Sequence, residues 1–196
     1  MRSWLFILIF LLLSGPVLAQ TTPQQQIQKM VSGVLGVLNS DADLQAKKER
    51  VSGMVQDYLG IASLAQRTLG IYWKQANEEQ RQNFQRLYVR ILEKTYLNRV
   101  GDYSGGEVVY LQERVKDDKA IVDTKFVTEK VEIPVTYKMI RKQGEWQIYD
   151  VVIEGVSLIR SYRSSYNEII RKEGFDGLFT RMEQKLAAPD SATGGS

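Results

Sequence analysis

Histidine and cysteine are both missing from the 196-residue sequence, and the two absences remove most catalytic chemistry at once. Without histidine there is no imidazole base, no imidazole metal ligand and no Ser-His or Cys-His nucleophile arrangement. Without cysteine there is no thiol nucleophile and no disulfide framework, so stability has to come from packing. Charge of one sign is also scarce. The net charge is +3, and Lys and Arg alternate with Asp and Glu along the whole chain. A nucleic-acid partner would call for a clustered basic face, which the pattern does not supply. There is no glycine-rich phosphate loop of the P-loop type. One apolar run stands out, at the N-terminus, and it is too short to span a bilayer comfortably.

That run reads as an export leader. Arg2 supplies the positive start, Trp4 to Leu13 the apolar stretch, and Ser14, Gly15 and Pro16 the helix break. Val17-Leu18-Ala19 offers small residues for recognition, so cleavage is expected after Ala19 with Gln20 as the new N-terminus. An uncleaved anchor helix is the alternative. No cysteine follows the cut, which excludes a lipid-anchored form. The expected destination is the periplasm. About 175 residues remain, enough for one domain with a real core, and residues 20–186 are assigned to it. Ala187 to Ser196 is small, polar and rich in Gly and Ser, the composition of a disordered tail.

The periodicity inside that domain changes once. Thr22-Pro23 supplies a capping hydroxyl and a proline at the first helical position. Ile27, Met30, Val31, Val34, Leu35 and Leu38 then follow at three- and four-residue steps. A second helix, Ala42 to Tyr58, carries Leu44, Val51, Met54, Val55 and Tyr58, with Lys47 to Arg50 on its solvated side. Gly60 and Gly70 bracket a short helix ending at Leu69. Asn77 and Gln80 form a helix-start pair, and Phe84, Leu87, Tyr88, Ile91, Leu92, Thr95 and Tyr96 lie along one side of the helix that runs to Gly101. From Glu107 the pattern alternates. Val108–Val115, Ala120–Thr128, Val131–Arg141 and Glu145–Ile153 read as four strands joined by short turns. Pro134 suggests an edge or a bulge. Gly155 ends the sheet, a helix runs from Ser157 to Glu173, Gly174 stops it, and a last helix starts at Asp176. The fold class is α+β: a four-stranded antiparallel meander covered on one face by helices.

Two segments carry a resemblance. One is Leu69-Gly70-Ile71-Tyr72-Trp73-Lys74 with Gln80, Arg81 and Phe84 after it. The other is Trp146-Gln147-Ile148-Tyr149-Asp150, then Glu154-Gly155-Val156-Ser157-Leu158, Tyr162-Arg163, Asn167-Glu168, and Gly174-Phe175-Asp176-Gly177-Leu178. The series resembles the MlaC family, also called toluene-tolerance auxiliary proteins, from about Val55 to Leu186. The resemblance implies a cone similar to that of nuclear transport factors, with an apolar cavity between sheet and helices. It implies a soluble periplasmic carrier of phospholipid in a Gram-negative cell, serving outer-membrane lipid asymmetry. Its partners would be an inner-membrane ATP-driven lipid transporter complex and an outer-membrane lipoprotein–porin complex. No cofactor and no enzymatic activity are implied.

Such a role suits a chain poor in reactive groups. Exposing acyl chains to water costs about 0.8 kcal/mol per CH₂, on the order of 20 kcal/mol for a two-chain lipid. A dry, adaptable lining removes that cost without any chemistry. The expected lining draws on Leu69 and Trp73, on Tyr88, Leu92 and Tyr96 of the long helix, on Val122, Phe126, Val135, Tyr137, Tyr149 and Val151 of the sheet, and on Val156, Leu158 and Ile159 at the strand-to-helix join. Each also reads as ordinary core. Trp146 and Tyr149 lie on opposite faces of their strand, so at most one faces a cavity. Val156 either lines the cavity or plugs the core. Arg163 reads as a salt-bridged helix residue, and Lys130 as a solvated turn lysine. A periplasmic chaperone, or a small enzyme using Tyr149 and Asp150, are the other readings left open.

Overall fold

Capping chemistry sets the helix starts. The structure is a computed structural model that describes residues 21–97 and 105–189. The expected leader, the approach of the long helix to Gly101 and the tail from residue 190 lie outside the described residues. Helix α1 (Pro23–Leu38) opens on Thr22, whose Oγ1 accepts from the Gln25 amide while the Gln25 side chain accepts from the Thr22 amide. This reciprocal pair satisfies two otherwise orphaned donors. Helix α2 (Leu44–Tyr58) starts two residues later than expected, because Asp43 provides the cap through the Ala46 amide at 2.9 Å. That start leaves Leu44 in the exposed first turn rather than on the buried face. Gly33 lets α2 approach α1: a Cβ there would sit 2.2 Å from the terminal methyl of Met54.

Helix α3 spans Ile61–Leu69, and a single turn not anticipated from the sequence, α4, spans Tyr72–Gln75. Gly70, at φ +58°, redirects the chain between them. Helix α5 (Glu78–Leu97) opens on the expected pair, Gln80 amide to Asn77 Oδ1 at 2.8 Å and Asn77 amide to Gln80 Oε1 at 3.0 Å.

The four strands lie where alternation puts them: β1 (Glu107–Lys116), β2 (Lys119–Val127), β3 (Glu132–Lys142) and β4 (Glu145–Ile153), all antiparallel neighbours. A fifth, β5 (Val156–Ser157), pairs back on β4. It exists because Glu154 and Gly155 both take positive φ, +51° and +82°, the geometry of a two-residue hairpin. The segment is therefore a turn and a return strand before it becomes a helix. Pro134 sits in regular register opposite Lys125, in a central strand and away from the bulges at Tyr110/Gln112 and Lys138/Met139. Its tolerance is local. Pairing with β4 begins only at Val135, and the Pro134 carbonyl accepts from the Glu154 amide of the turn, so the missing N–H faces the place where β4 has ended. The span α6 (Leu158–Ala187) is two helical segments joined at a kink, Gly174, whose φ of +71° is non-helical. The two helices expected on either side of Gly174 are its two segments.

The core is divided. Ile27, Met30 and Val31 of α1 pack on Val122, Met139, Trp146 and Ile148 of the sheet. Helices α3, α5 and α6 bury Leu64, Leu69, Phe84, Leu87, Tyr88, Ile91, Tyr166 and Leu178 among themselves. A small third cluster joins Leu38 of α1 to Val51 of α2, with Val55 and Leu97 beside them. Leu59 touches both larger clusters.

Candidate functional site

The three clusters do not fuse, and a cavity of about 160 Å³ lies where they meet. Helix α2 presents Ser52, Val55 and Gln56 to it, with Leu59 just beyond, and α5 presents Val89, Leu92, Glu93, Tyr96 and Leu97. Both sets follow the three- and four-residue spacing that gathers side chains on one helix face. Val151 of β4 and Leu158 of α6 close the inner end. The polar atoms are confined to a clasp between α2 and α5. Ser52 Oγ and Gln56 Nε2 both donate to Glu93 Oε1, the latter at 2.8 Å, and Gln56 Nε2 also reaches Ser52 Oγ at 2.9 Å. Everything else in the wall is hydrocarbon or ring.

Asp150 sets the inner wall. Its side chain is 5% exposed and accepts from Ser157 Oγ at 2.8 and 3.0 Å, from Lys138 Nζ at 3.0 Å and from the Ile159 amide at 3.3 Å. Ser157 in turn caps α6 through the Arg160 amide. One carboxylate therefore ties β3, β4, β5 and the first turn of α6 together, and the wall residues Val151 and Leu158 are neighbours of Asp150 and Ser157. The adjacent Tyr149 looks elsewhere, its ring under the Arg67 guanidinium at 4.1 Å. Tyr149 and Asp150 thus have separate partners, and every Asp150 contact is spent on structure.

Of the residues expected to line a cavity, Leu92, Tyr96, Val151 and Leu158 stand in its wall. Tyr137 is the cross-strand partner of both Val122 and Val151, and Val135, two residues before it, shares its face. Val122 itself is fully buried core, while Val135 and Tyr137 are half-buried; burial, then Tyr110, raises the Tyr137 phenol. Phe126 packs its ring against Gly106. Leu69 and Tyr88 are core of the α3–α5–α6 cluster, and Trp73 packs on that cluster with Arg81 at 5.4 Å from its ring. Tyr88 accepts from Thr68 Oγ1, and desolvation raises its phenol. Ile159 is buried at the start of α6. Val156 is 58% exposed, because the β4–β5 hairpin turns Ser157 inward and Val156 away. Trp146 is core, so neither it nor Tyr149 lines the cavity. Arg163 forms no salt bridge among the described residues; it donates to the Arg67 carbonyl at the end of α3. Lys130 is exposed at its turn.

The sequence reading missed Ser52, Gln56, Leu59, Val89, Glu93 and Leu97, and placed Val55 only on a core face. A signal was present: Ser52, Gln56 and Glu93 are short polar interruptions beside apolar stripes on two helices, where a uniform core would have none.

An α+β binding domain with an apolar recess between helices and sheet is the class that fold and cavity define. Within that class the chain belongs to the MlaC protein family, whose model matches residues 28–184. It is similar to the intermembrane phospholipid transport system binding protein MlaC of Haemophilus influenzae, at 23% identity over 96% of this chain and 95% of that protein. It is similar also to the toluene tolerance protein ttg2D of Pseudomonas putida, at 27% identity over 86% and 83%. The fold matches that of a phospholipid-binding protein from Ralstonia solanacearum, solved in complex with a phospholipid, with a TM-score of 0.78, 23% identity and coverage of 84% of this chain and 96% of that one.

Proposed function

We propose that this chain is a carrier of phospholipid that holds acyl chains in the cavity between α2, α5 and β4 and moves lipid through the periplasm between outer and inner membranes. The observation that carries the reading is the wall itself: hydrocarbon from three separate core clusters around one recess, with polar atoms only at the α2–α5 clasp. The relatives named for phospholipid binding and intermembrane transport support it. Among the described residues no helix is long and apolar enough to cross a membrane, in keeping with a carrier that leaves both membranes. Its partners would be the inner-membrane ATP-driven lipid transporter complex and the outer-membrane lipoprotein–porin complex, and the leader ending at Ala19 would deliver it to the space between them.

Volume adds a condition. A site for a drug-sized ligand occupies about 300–1,000 Å³, and this cavity holds about 160 Å³. Taking up a diacyl lipid requires one wall to move. Helix α2 is the wall built to do so, since it has one fully buried residue, Val51, and its polar link to α5 can re-form after breaking. The carrier reading is tested by gentle purification, organic extraction and mass spectrometry. Diacyl phospholipid close to one per protein is expected. A monodisperse protein that carries no lipid and takes none from vesicles would overturn it.

A further inference from the structure

A second recess lies on the far side of α3. Ser63, Gln66, Arg67 and Gly70 recur at three- and four-residue steps, so they form one face of that helix, while Leu64, Ala65, Thr68 and Leu69 form the buried one. Lys142, at the end of β3, stands across from this face, and the five residues line a polar depression of about 440 Å³. It is not part of the acyl cavity. Lys142 pairs with Glu145 at the start of β4, six residues from the cavity wall at Val151, about 20 Å along a strand.

Two cations line it, Arg67 and Lys142, and a third, Arg163, lies beside its Gly70; each is held in place by an uncharged group. The Arg67 guanidinium stacks on the Tyr149 ring, 4.1 Å from its centroid. Lys142 Nζ donates to Ser63 Oγ at 2.6 Å, and Ser63 is only 4% exposed. Arg163 Nε donates to the Arg67 carbonyl at 2.9 Å and lies beside Gly70, 3.5 Å from where a Cβ on it would be, an ordinary contact distance. These contacts fix orientation without neutralising charge. Among the described residues none of the three cations is in a salt bridge, and the nearest carboxylate in register, Glu145, makes none with Lys142.

We propose that this depression is a binding site for a phosphate-class oxyanion, either free phosphate or the phosphate of a lipid headgroup at a bilayer surface. Phosphate fits better than carboxylate. It brings close to two negative charges and three acceptor oxygens, against two cations in the lining, Arg67 and Lys142, beside the Gln66 side chain, with a third, Arg163, next to Gly70. Arg offers a planar fork to such an anion and Lys a point charge. The site is independent of whether the neighbouring cavity carries lipid.

The test uses the purified protein, titrated with inorganic phosphate at constant ionic strength and followed by backbone amide shifts. Saturable shifts clustered on residues 63–70 and 142 are expected. Lys142→Gln, which keeps a donor for Ser63, and Arg67→Gln should each weaken binding about tenfold, the scale of one charge-assisted hydrogen bond. Lys130→Gln, in a distant turn, should leave it unchanged. Circular dichroism confirms the fold of each variant. Phosphatidylglycerol vesicles form the second arm: recruitment that depends on the same two residues identifies the headgroup as the source, and phosphate binding without recruitment identifies the free anion. Acetate binding as tightly as phosphate, chloride reproducing the shifts, or undiminished phosphate binding in a folded Arg67→Gln/Lys142→Gln double variant would each overturn the proposal.

Discussion

Replacing Asp150 with alanine should cost more than any other single exchange near the cavity. The change removes an acceptor shared by the Ser157 hydroxyl, the Ile159 amide and the Lys138 ammonium. Two of those donors are buried, and a buried donor left without a partner costs about 1–3 kcal/mol. Breaking a fully buried ion pair costs about 3–5 kcal/mol. Lys138, however, is 28% exposed, so its ammonium can turn to water and most of that figure does not apply. Together the losses come to about 3 kcal/mol. A domain of this size loses about 2–4 °C of melting temperature per kcal/mol, so Asp150→Ala should melt about 6–12 °C lower. Asp150→Asn keeps an oxygen for Ser157 and Ile159 and loses only the charge, so about half that drop is expected. Because Val151 and Leu158 flank the clamp, the alanine variant should also carry less lipid at temperatures well below its own melt. Thermal unfolding by circular dichroism, with extraction of bound lipid at 20 °C below the midpoint, reads both effects. An alanine variant that melts within 2 °C of the parent would refute the assignment of Asp150 as the clamp.

Three further outcomes are expected. Leu92→Trp puts an indole into the cavity, where space exists, so stability should change by less than about 1.5 kcal/mol while lipid recovered by extraction falls severalfold; an unchanged lipid load would remove Leu92 from the site. Glu93→Ala unfastens α2 at a cost of about 1–2 kcal/mol and should speed transfer of a fluorescent phospholipid from vesicles, whereas slower transfer would show that the clasp is needed for entry. Above pH 10 the folded state should weaken: burial raises the phenols of Tyr88 and Tyr166, so the unfolded chain loses these protons first. The stability they contribute is complete below pH 10 and declines above it by about 1.4 kcal/mol per pH unit for each tyrosine. Tyr166→Phe should flatten that slope with little effect at pH 7, since the Tyr166 hydroxyl has no hydrogen-bond partner among the described residues; urea titrations at pH 8 and pH 11 measure the difference.

What the sequence made legible was whatever local rules decide. Thr22, Asn77 and Ser157 cap helices because their side chains reach amides three residues away, and alternation places β1 to β4 within a residue or two. The join at Glu154-Gly155 was harder. A strand-to-helix corner and a two-residue hairpin call for the same kind of residues, and only pairing with Val152 and Ile153 decides between them. Val156 therefore went to the wrong side of the wall. The cavity was legible only in part, four of its eleven wall residues, for a related reason. Periodicity says which face of a helix is apolar, so Leu92, Tyr96, Val151 and Leu158 could be named. Which apolar faces meet, and where they fall short of meeting, depends on crossing geometry among α2, α5 and β4, which leaves no mark at the level of spacing.

That shortfall is where stability and carriage pull against each other. A chain without cysteine, and so without disulfides, holds itself together by burying apolar area, and a fused core would bury the most. Here α1 packs on the sheet and α3, α5 and α6 pack on one another, each group around its own large buried side chains. Helix α2 is held by the smallest cluster and by hydrogen bonds to Glu93. Parting α2 from α5 therefore exposes little that the other two clusters need, and acyl chains entering the gap would restore the apolar contacts given up at Val55, Leu59 and Leu97. The polar clasp at the rim suits this arrangement for a simple reason: Ser52, Gln56 and Glu93 exchange one another for water at a small net cost, about 1 kcal/mol per hydrogen bond. An all-apolar rim would penalise every opening by the full area exposed, and an all-polar one would leave the gap wet. A wall that opens at modest cost and closes on hydrocarbon is what a lipid carrier requires of its fold, and in this chain the requirement is met by keeping three cores apart around one seam.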